Sequence, residues 1–178
     1  ADINGKERDY TDNSDSMFSL TEYFDIVSYG KLDISPVMTD WYYSDKNFAE
    51  MQEASPKREF ASEILDWVKK KYPNINWKEF DKDADGYVDS MIIINAGEFE
   101  GDTYLKDSYS YGLNISSTYI DEFAGTQKDP TVNNFTSIGH SILEYSGSSL
   151  LIHEFSHSLG LIDYYDVTAS GIDAVGSY

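Results

Sequence analysis

The sequence predicts an α+β (mixed α/β) single domain, and three patterns carry that prediction. Apolar residues recur at helical spacing in two early stretches, a short aliphatic run reads as a buried strand, and a last helical stretch closes on a glycine. At 178 residues the chain fits one domain, which at this size buries roughly 70% of its unfolded surface. Hydrophobic residues make up 40% of it, with 15 Tyr and 9 Phe among them, enough for a packed core.

Residues 1–16 are polar, charged and aperiodic, as expected of a flexible N-terminal tail, which leaves residues 17–178 for the folded domain. Ser19-Leu-Thr-Glu22 has the Ser-x-x-Glu form that opens a helix. Leu20, Tyr23, Phe24 and Val27 then repeat at helical spacing until Gly30, the expected stop. Lys31 to Ile34 alternates like a strand, and Trp41 to Tyr43 predicts another. Ser55-Pro56 starts a second helix, with Phe60, Ile64, Trp67 and Val68 along one face. Lys69, Lys70 and Lys71 fall at its C-terminal end, where positive charge suits the helix dipole. Val88 to Asn95 predicts a buried strand, and residues 97–134 offer only loops and short strands. The final helix runs from about Ser149 to Leu159 and ends at Gly160. No internal repeat or interdomain linker is visible.

The net charge of −19 argues against a nucleic-acid partner, because phosphate binding draws on clustered Lys and Arg. It also disfavours anionic membrane surfaces. The longest aliphatic run, Met91 to Ile94, is far too short for membrane insertion. With no cysteine, a transition metal must be held by His, Asp or Glu. No signal peptide begins at Ala1, so either the chain is cytosolic or an export signal was removed before this point.

His153-Glu154-Phe155-Ser156-His157 supplies the chemistry. At about 100° per residue the two histidines lie about 40° apart around a helix and one turn apart along it, so both imidazoles can face one ion. Glu154 falls about 60° from His157, near enough to act on a metal-held water without being a ligand. Such a pattern arises in roughly one shuffled chain of this composition in 300, so a second signal is needed. Gly160 and Asp163, three and six residues past His157, provide it. On a continued helix Asp163 would sit about 9 Å beyond His157 on another face; a left-handed Gly160 turns the chain back instead. His140 precedes the motif and no Glu follows Glu154, leaving Asp163, Asp166 and Asp173, of which Asp163 has the expected offset. The expected centre is therefore zinc held by His153, His157 and Asp163, with Glu154 as general base. His140 reads as an ordinary surface or satisfied residue, and Asp166 as a support for the ligands.

Asp81-Lys-Asp83-Ala-Asp85-Gly86-Tyr87-Val-Asp89 copies the first nine positions of an EF-hand loop. Position twelve is Ile92, not Glu, and a strand rather than a helix is expected to follow. Two readings stay open: calcium held by Asp81, Asp83, Asp85 and Asp89, or an acidic turn that needs no metal.

With these residues in place, the chain resembles the immune inhibitor A family of bacterial metallopeptidases, relatives of the metzincins. Tyr23-Phe24, Ser28-Tyr-Gly-Lys-Leu-Asp-Ile34, Asp85-Gly-Tyr-Val-Asp89, Asn95-Ala-Gly97 and the run from His153 to Asp166 carry the resemblance. Ser156 and Ile162 stand where the family usually has Gly and Pro, and neither is a ligand position. The resemblance implies a metzincin-like catalytic domain: a twisted mixed sheet, a backing helix and an active-site helix. It also implies zinc, a protein or peptide substrate, a propeptide in the precursor, and a secreted, extracellular protein. All 4 Met precede the motif, and the chain stops at Gly176-Ser-Tyr178. The domain is thus expected to be C-terminally incomplete, ending before the methionine turn of the metzincins. The alternative is an inactive or incomplete metalloprotease-fold module that acts in binding or adhesion, stabilised by calcium; the intact Glu154 argues against it.

Overall fold

The structure is a computed structural model. It describes residues 19–46, 57–96, 109–112, 124–140, 143 and 148–161, with backbone alone for 57, 58 and 109–112. The expected tail at residues 1–16 and the helix start at Ser55-Pro56 lie outside the described residues.

Helix α1 (Leu20–Val27) begins as its sequence predicts: the Ser19 hydroxyl accepts the Glu22 backbone N–H at 3.2 Å. That bond satisfies one of the donors a helix start leaves open. The helix ends earlier than expected. Tyr29 and Gly30 both take left-handed backbone, at φ +57° and +71°. The Ser28 hydroxyl gathers the N–H groups of Lys31 and Leu32 and fixes the turn.

Residues 31–44 correct the expectation of two strands. They are extended, with Leu32, Ile34 and Tyr42 half-buried, but none pairs in a ladder. The alternation reports apolar surface under one side of the segment; it carries no information about backbone partners. This strap is instead tied to helix α2 (Lys57–Lys71). Asp40 pairs with Lys71 at 2.8 Å and its backbone N–H reaches the Tyr72 hydroxyl at 2.9 Å. The Tyr42 hydroxyl donates to Glu63, and its ring meets Trp67 edge-on. In α2 the buried ridge is Ala61, Leu65 and Val68, with Phe60 and Ile64 packed beside it. Trp67 lies under the strap and beneath the Lys71 ammonium, 4.8 Å from its ring centre.

The predicted strand at Val88–Asn95 is shorter: β1 spans Ile92–Asn95. Tyr87 already makes a lone bridge to Thr131, but the Asp89 N–H turns back to the Phe80 carbonyl at 2.7 Å and interrupts the run. Strands β2 (Tyr109–Gly112) and β3 (Asn134–Gly139) complete a sheet of order β1-β3-β2. β1 runs parallel to β3, with Ile92 opposite Thr136, and β2 runs antiparallel, with Ser110 opposite Thr136. The mixture of helix and strand fits the α+β class.

Successive β3 side chains point to opposite faces, and the two faces feed two cores. Ile138 joins Leu20, Phe24, Leu143, Leu151 and Phe155 on the side of α1 and helix α3 (Ser149–Ser158). Phe135 joins Ala61, Leu65, Val88, Ile93 and Val132 on the side of α2. The sheet thus stands between α2 and the helix that carries the histidines.

Candidate metal centre

Helix α3 is seated by Leu151 and Phe155, both buried and one turn apart; Phe155 packs 5.4 Å from Phe24. Fixing that stripe turns the histidine face outward: His153 is exposed, while Glu154 and His157 are half-buried. Leu159, the last apolar residue of the stretch, is 43% exposed, because the helix has ended and the chain is turning away. The His153 and His157 rings stand nearly perpendicular, at 86°, with centroids 4.9 Å apart. Two nitrogens bound to one zinc at about 2.0–2.1 Å sit roughly 3.3 Å from each other. Rings at the observed spacing can meet that requirement.

The end of α3 has a paired closure. Gly160 N–H bonds the His157 carbonyl at 2.9 Å and Leu161 N–H bonds the Ser156 carbonyl at 3.1 Å, with Gly160 at φ +85°. This is the Schellman arrangement, which needs a residue that accepts left-handed backbone. Its consequence is chemical. The turn returns the Leu161 carbonyl to 2.8 Å from His157 Nδ1. A carbonyl oxygen only accepts, so the imidazole proton belongs on Nδ1, the tautomer in which Nε2 carries the lone pair that metal-binding histidines use. Ser156, where the resembling family has glycine, donates its hydroxyl to the Ile152 carbonyl at 2.7 Å and stays within the helix.

Gly160 forms the bend that its offset from the motif predicts. Asp163, Asp166 and Asp173 lie outside the described residues. His140 is brought to the end of β3, exposed, with its ring edge-on to Trp41 at 6.4 Å. Sequence reading missed the polar residues of β3: the Thr136 hydroxyl reaches the Glu154 carbonyl at 3.4 Å. Thr and Asn in a strand carry no distinguishing pattern, so only the fold could reveal them.

The acidic loop brings together three of its four predicted ligands. Oxygens of Asp81, Asp83 and Asp89 lie within 4.8 Å of one another, the one such three-residue group among the described residues. Asp81 is buried, and its two oxygens accept the N–H groups of Asp85 and Gly86, each at 3.1 Å. Asp85 is turned aside to the Tyr87 N–H at 2.8 Å. Burial pushes its carboxyl above the ordinary carboxylate range; the Tyr87 N–H opposes this, and neighbouring Asp83, Asp81 and Asp89 reinforce it. Gly86 holds φ +86°, and a Cβ there would lie 2.6 Å from the Gly125 carbonyl oxygen. Only glycine fits. Gly86 O in turn accepts from Gly125 and Thr131, stapling the loop to residues 125–131.

Comparison with known proteins agrees with the motif. The family model described as "Immune inhibitor A peptidase M6, catalytic domain" matches residues 2–178. The Pre-pro-metalloprotease PrtV of Vibrio cholerae serotype O1, in two strains, is 26% identical over 204 residues, covering 99% of this chain. The chain spans only 22% of the length of those relatives. No solved structure gives a significant match. No helix among the described residues is long and apolar enough to cross a membrane.

Proposed function

The chain belongs to the immune inhibitor A family of metallopeptidases, and on that premise we propose that it is a secreted zinc endopeptidase with His153, His157 and Asp163 as ligands and Glu154 as general base. The observation that carries this reading is the His157 ring, held at Nδ1 by the Leu161 carbonyl 2.8 Å away, with the His153 ring centroid 4.9 Å from its own. The Vibrio cholerae relative is a pre-pro-metalloprotease by name, which supports export after removal of a leader.

Zinc, when bound, polarises the scissile carbonyl and makes water a stronger acid. The protein supplies the proton traffic. Glu154 takes the proton of the attacking water and passes it to the departing amine, so the carboxylate is restored at the end of the cycle. The turn at Gly160 brings the Leu161 carbonyl to His157 Nδ1 and so holds the ring in one tautomer throughout. Calcium held by Asp81, Asp83 and Asp89 would offset the repulsion of the clustered carboxylates and stiffen the loop.

Glu154→Gln provides the test. General bases contribute about 100- to 10,000-fold, so kcat on an unfolded protein substrate should fall by that range. One equivalent of zinc should remain bound, and it should be lost in His153→Ala or His157→Ala. Proteolysis by Glu154→Gln at the wild-type rate would defeat this reading.

A further inference from the structure

The face of β3 turned toward α3 is not uniformly apolar. Its outward row reads Asn134, Thr136, Ile138. Ile138 enters the core with Leu151 and Phe155, which hold the middle of α3. Beyond it the contact becomes polar. Thr136 is fully buried, and its hydroxyl lies 3.4 Å from the Glu154 carbonyl and 3.1 Å from the Ser158 hydroxyl. The Ser158 hydroxyl donates to Asn134 Oδ1 at 3.3 Å, and Asn134 Nδ2 donates to the Ser158 carbonyl, also at 3.3 Å.

These bonds fall where directionality has value. The carbonyl of Ser158 is among the last four of α3, which have no partner inside a helix; Asn134 supplies one from the sheet. Apolar packing tolerates small slides and rotations, whereas a hydrogen bond weakens steeply with misalignment. The polar bonds grip Glu154 and Ser158, the residues on either side of the helical turn that ends in His157.

We propose that Thr136 and Asn134 are positioning residues, a polar clamp that fixes the rotation of α3 against the sheet and so the directions of Glu154 and His157. The proposal rests on the peptidase reading. The clamp touches neither metal nor substrate; it acts through the helix backbone. Outer supports of this kind change metal affinity or activity by about 10- to 100-fold when lost.

The test uses the whole chain. Thr136→Val keeps the shape and removes the hydroxyl, Thr136→Ser restores it, and Asn134→Ala removes the second grip at a less buried site. Amide hydrogen exchange on metal-free protein is the first measurement. In Thr136→Val and Asn134→Ala, the amides of Ser158, Gly160 and Leu161 should exchange about tenfold faster or more, with Ile152 unchanged. Zinc titration is the second: affinity should fall about 10- to 100-fold, with a changed cobalt(II) ligand-field spectrum and recovery in Thr136→Ser. Should Thr136→Val fail to fold, Asn134→Ala decides. Wild-type exchange at the helix end, or zinc affinity within twofold of wild type, overturns the clamp. A wild-type chain that binds no zinc would instead remove the peptidase reading, and the exchange pattern would still judge the clamp.

Discussion

Tyr29 and Gly160 share left-handed backbone, at φ +57° and +85°, and the difference between their side chains gives substitutions there opposite signs. A side chain in that region costs about 1–2 kcal/mol. Tyr29 is 90% exposed, so its ring returns almost no packing energy. Tyr29→Gly should therefore raise stability by about 0.5–1 kcal/mol after the added freedom of the unfolded chain is subtracted. At Gly160 a Cβ would meet nothing within 4 Å. Gly160→Ala thus tests backbone strain without a clash, and should destabilise by about 1 kcal/mol. It should also weaken zinc binding, because the Leu161 carbonyl would no longer hold His157 Nδ1 at its present 2.8 Å. Thermal melts read the first pair of effects and zinc titration the last. The sequence made Gly160 legible through its offset from the motif. It gave no sign of Tyr29, since the bonds that fix that turn come from the Ser28 hydroxyl and backbone carbonyls.

The strap of residues 31–44 shows how far element reading carries. Its alternation predicts strand, yet it is held by side chains: Asp40 on Lys71, Tyr42 on Glu63 and Trp67. A ladder would leave a record of two matching patterns, but a tether of single residues leaves none. Helix α1 was legible because its capping serine, apolar spacing and terminal glycine agree locally, and α3 because its apolar spacing and terminal glycine do. β1 was overextended because an isolated bridge at Tyr87 and a true strand from Ile92 look alike in hydropathy. The tether has a titration signature. The bond to Glu63, then burial, then the charges of Glu63 and Asp45 push the Tyr42 phenol up to about 12 from its ordinary 10. The folded state therefore keeps a proton that the unfolded chain releases above pH 10. Stability from this group is complete below pH 10 and is lost as pH rises through 12. Tyr42→Phe should lose less stability than wild type between those limits, and near-ultraviolet tyrosinate titration should lack the latest-ionising phenol. Identical pH dependence in the two proteins would show that the contact does not form in solution.

Across the whole molecule the dominant electrostatic fact is 32 acidic side chains against 13 basic ones. Such an imbalance strains the compact state, because folding brings like charges closer. Added salt screens that repulsion, with a Debye length of about 10 Å at 0.1 M, so the melting temperature should climb with sodium chloride. Calcium separates general screening from a specific site. Asp81, Asp83 and Asp89 put oxygens within 4.8 Å of each other, a spacing that screening by monovalent ions relieves only weakly. If the loop takes calcium, a hundredfold excess over Kd stabilises by about 2.7 kcal/mol. For a chain of this size that corresponds to about 5–10 °C. At fixed ionic strength calcium should therefore outperform sodium by this margin. Magnesium should fall short, since it demands near-octahedral geometry and sheds water reluctantly. Asp83 is exposed, and Asp83→Asn leaves the buried Asp81 bonds in place. That variant should lose the calcium increment and keep the sodium one. Equal melting temperatures in sodium and calcium at matched ionic strength would make the loop an acidic turn held by its own backbone N–H groups.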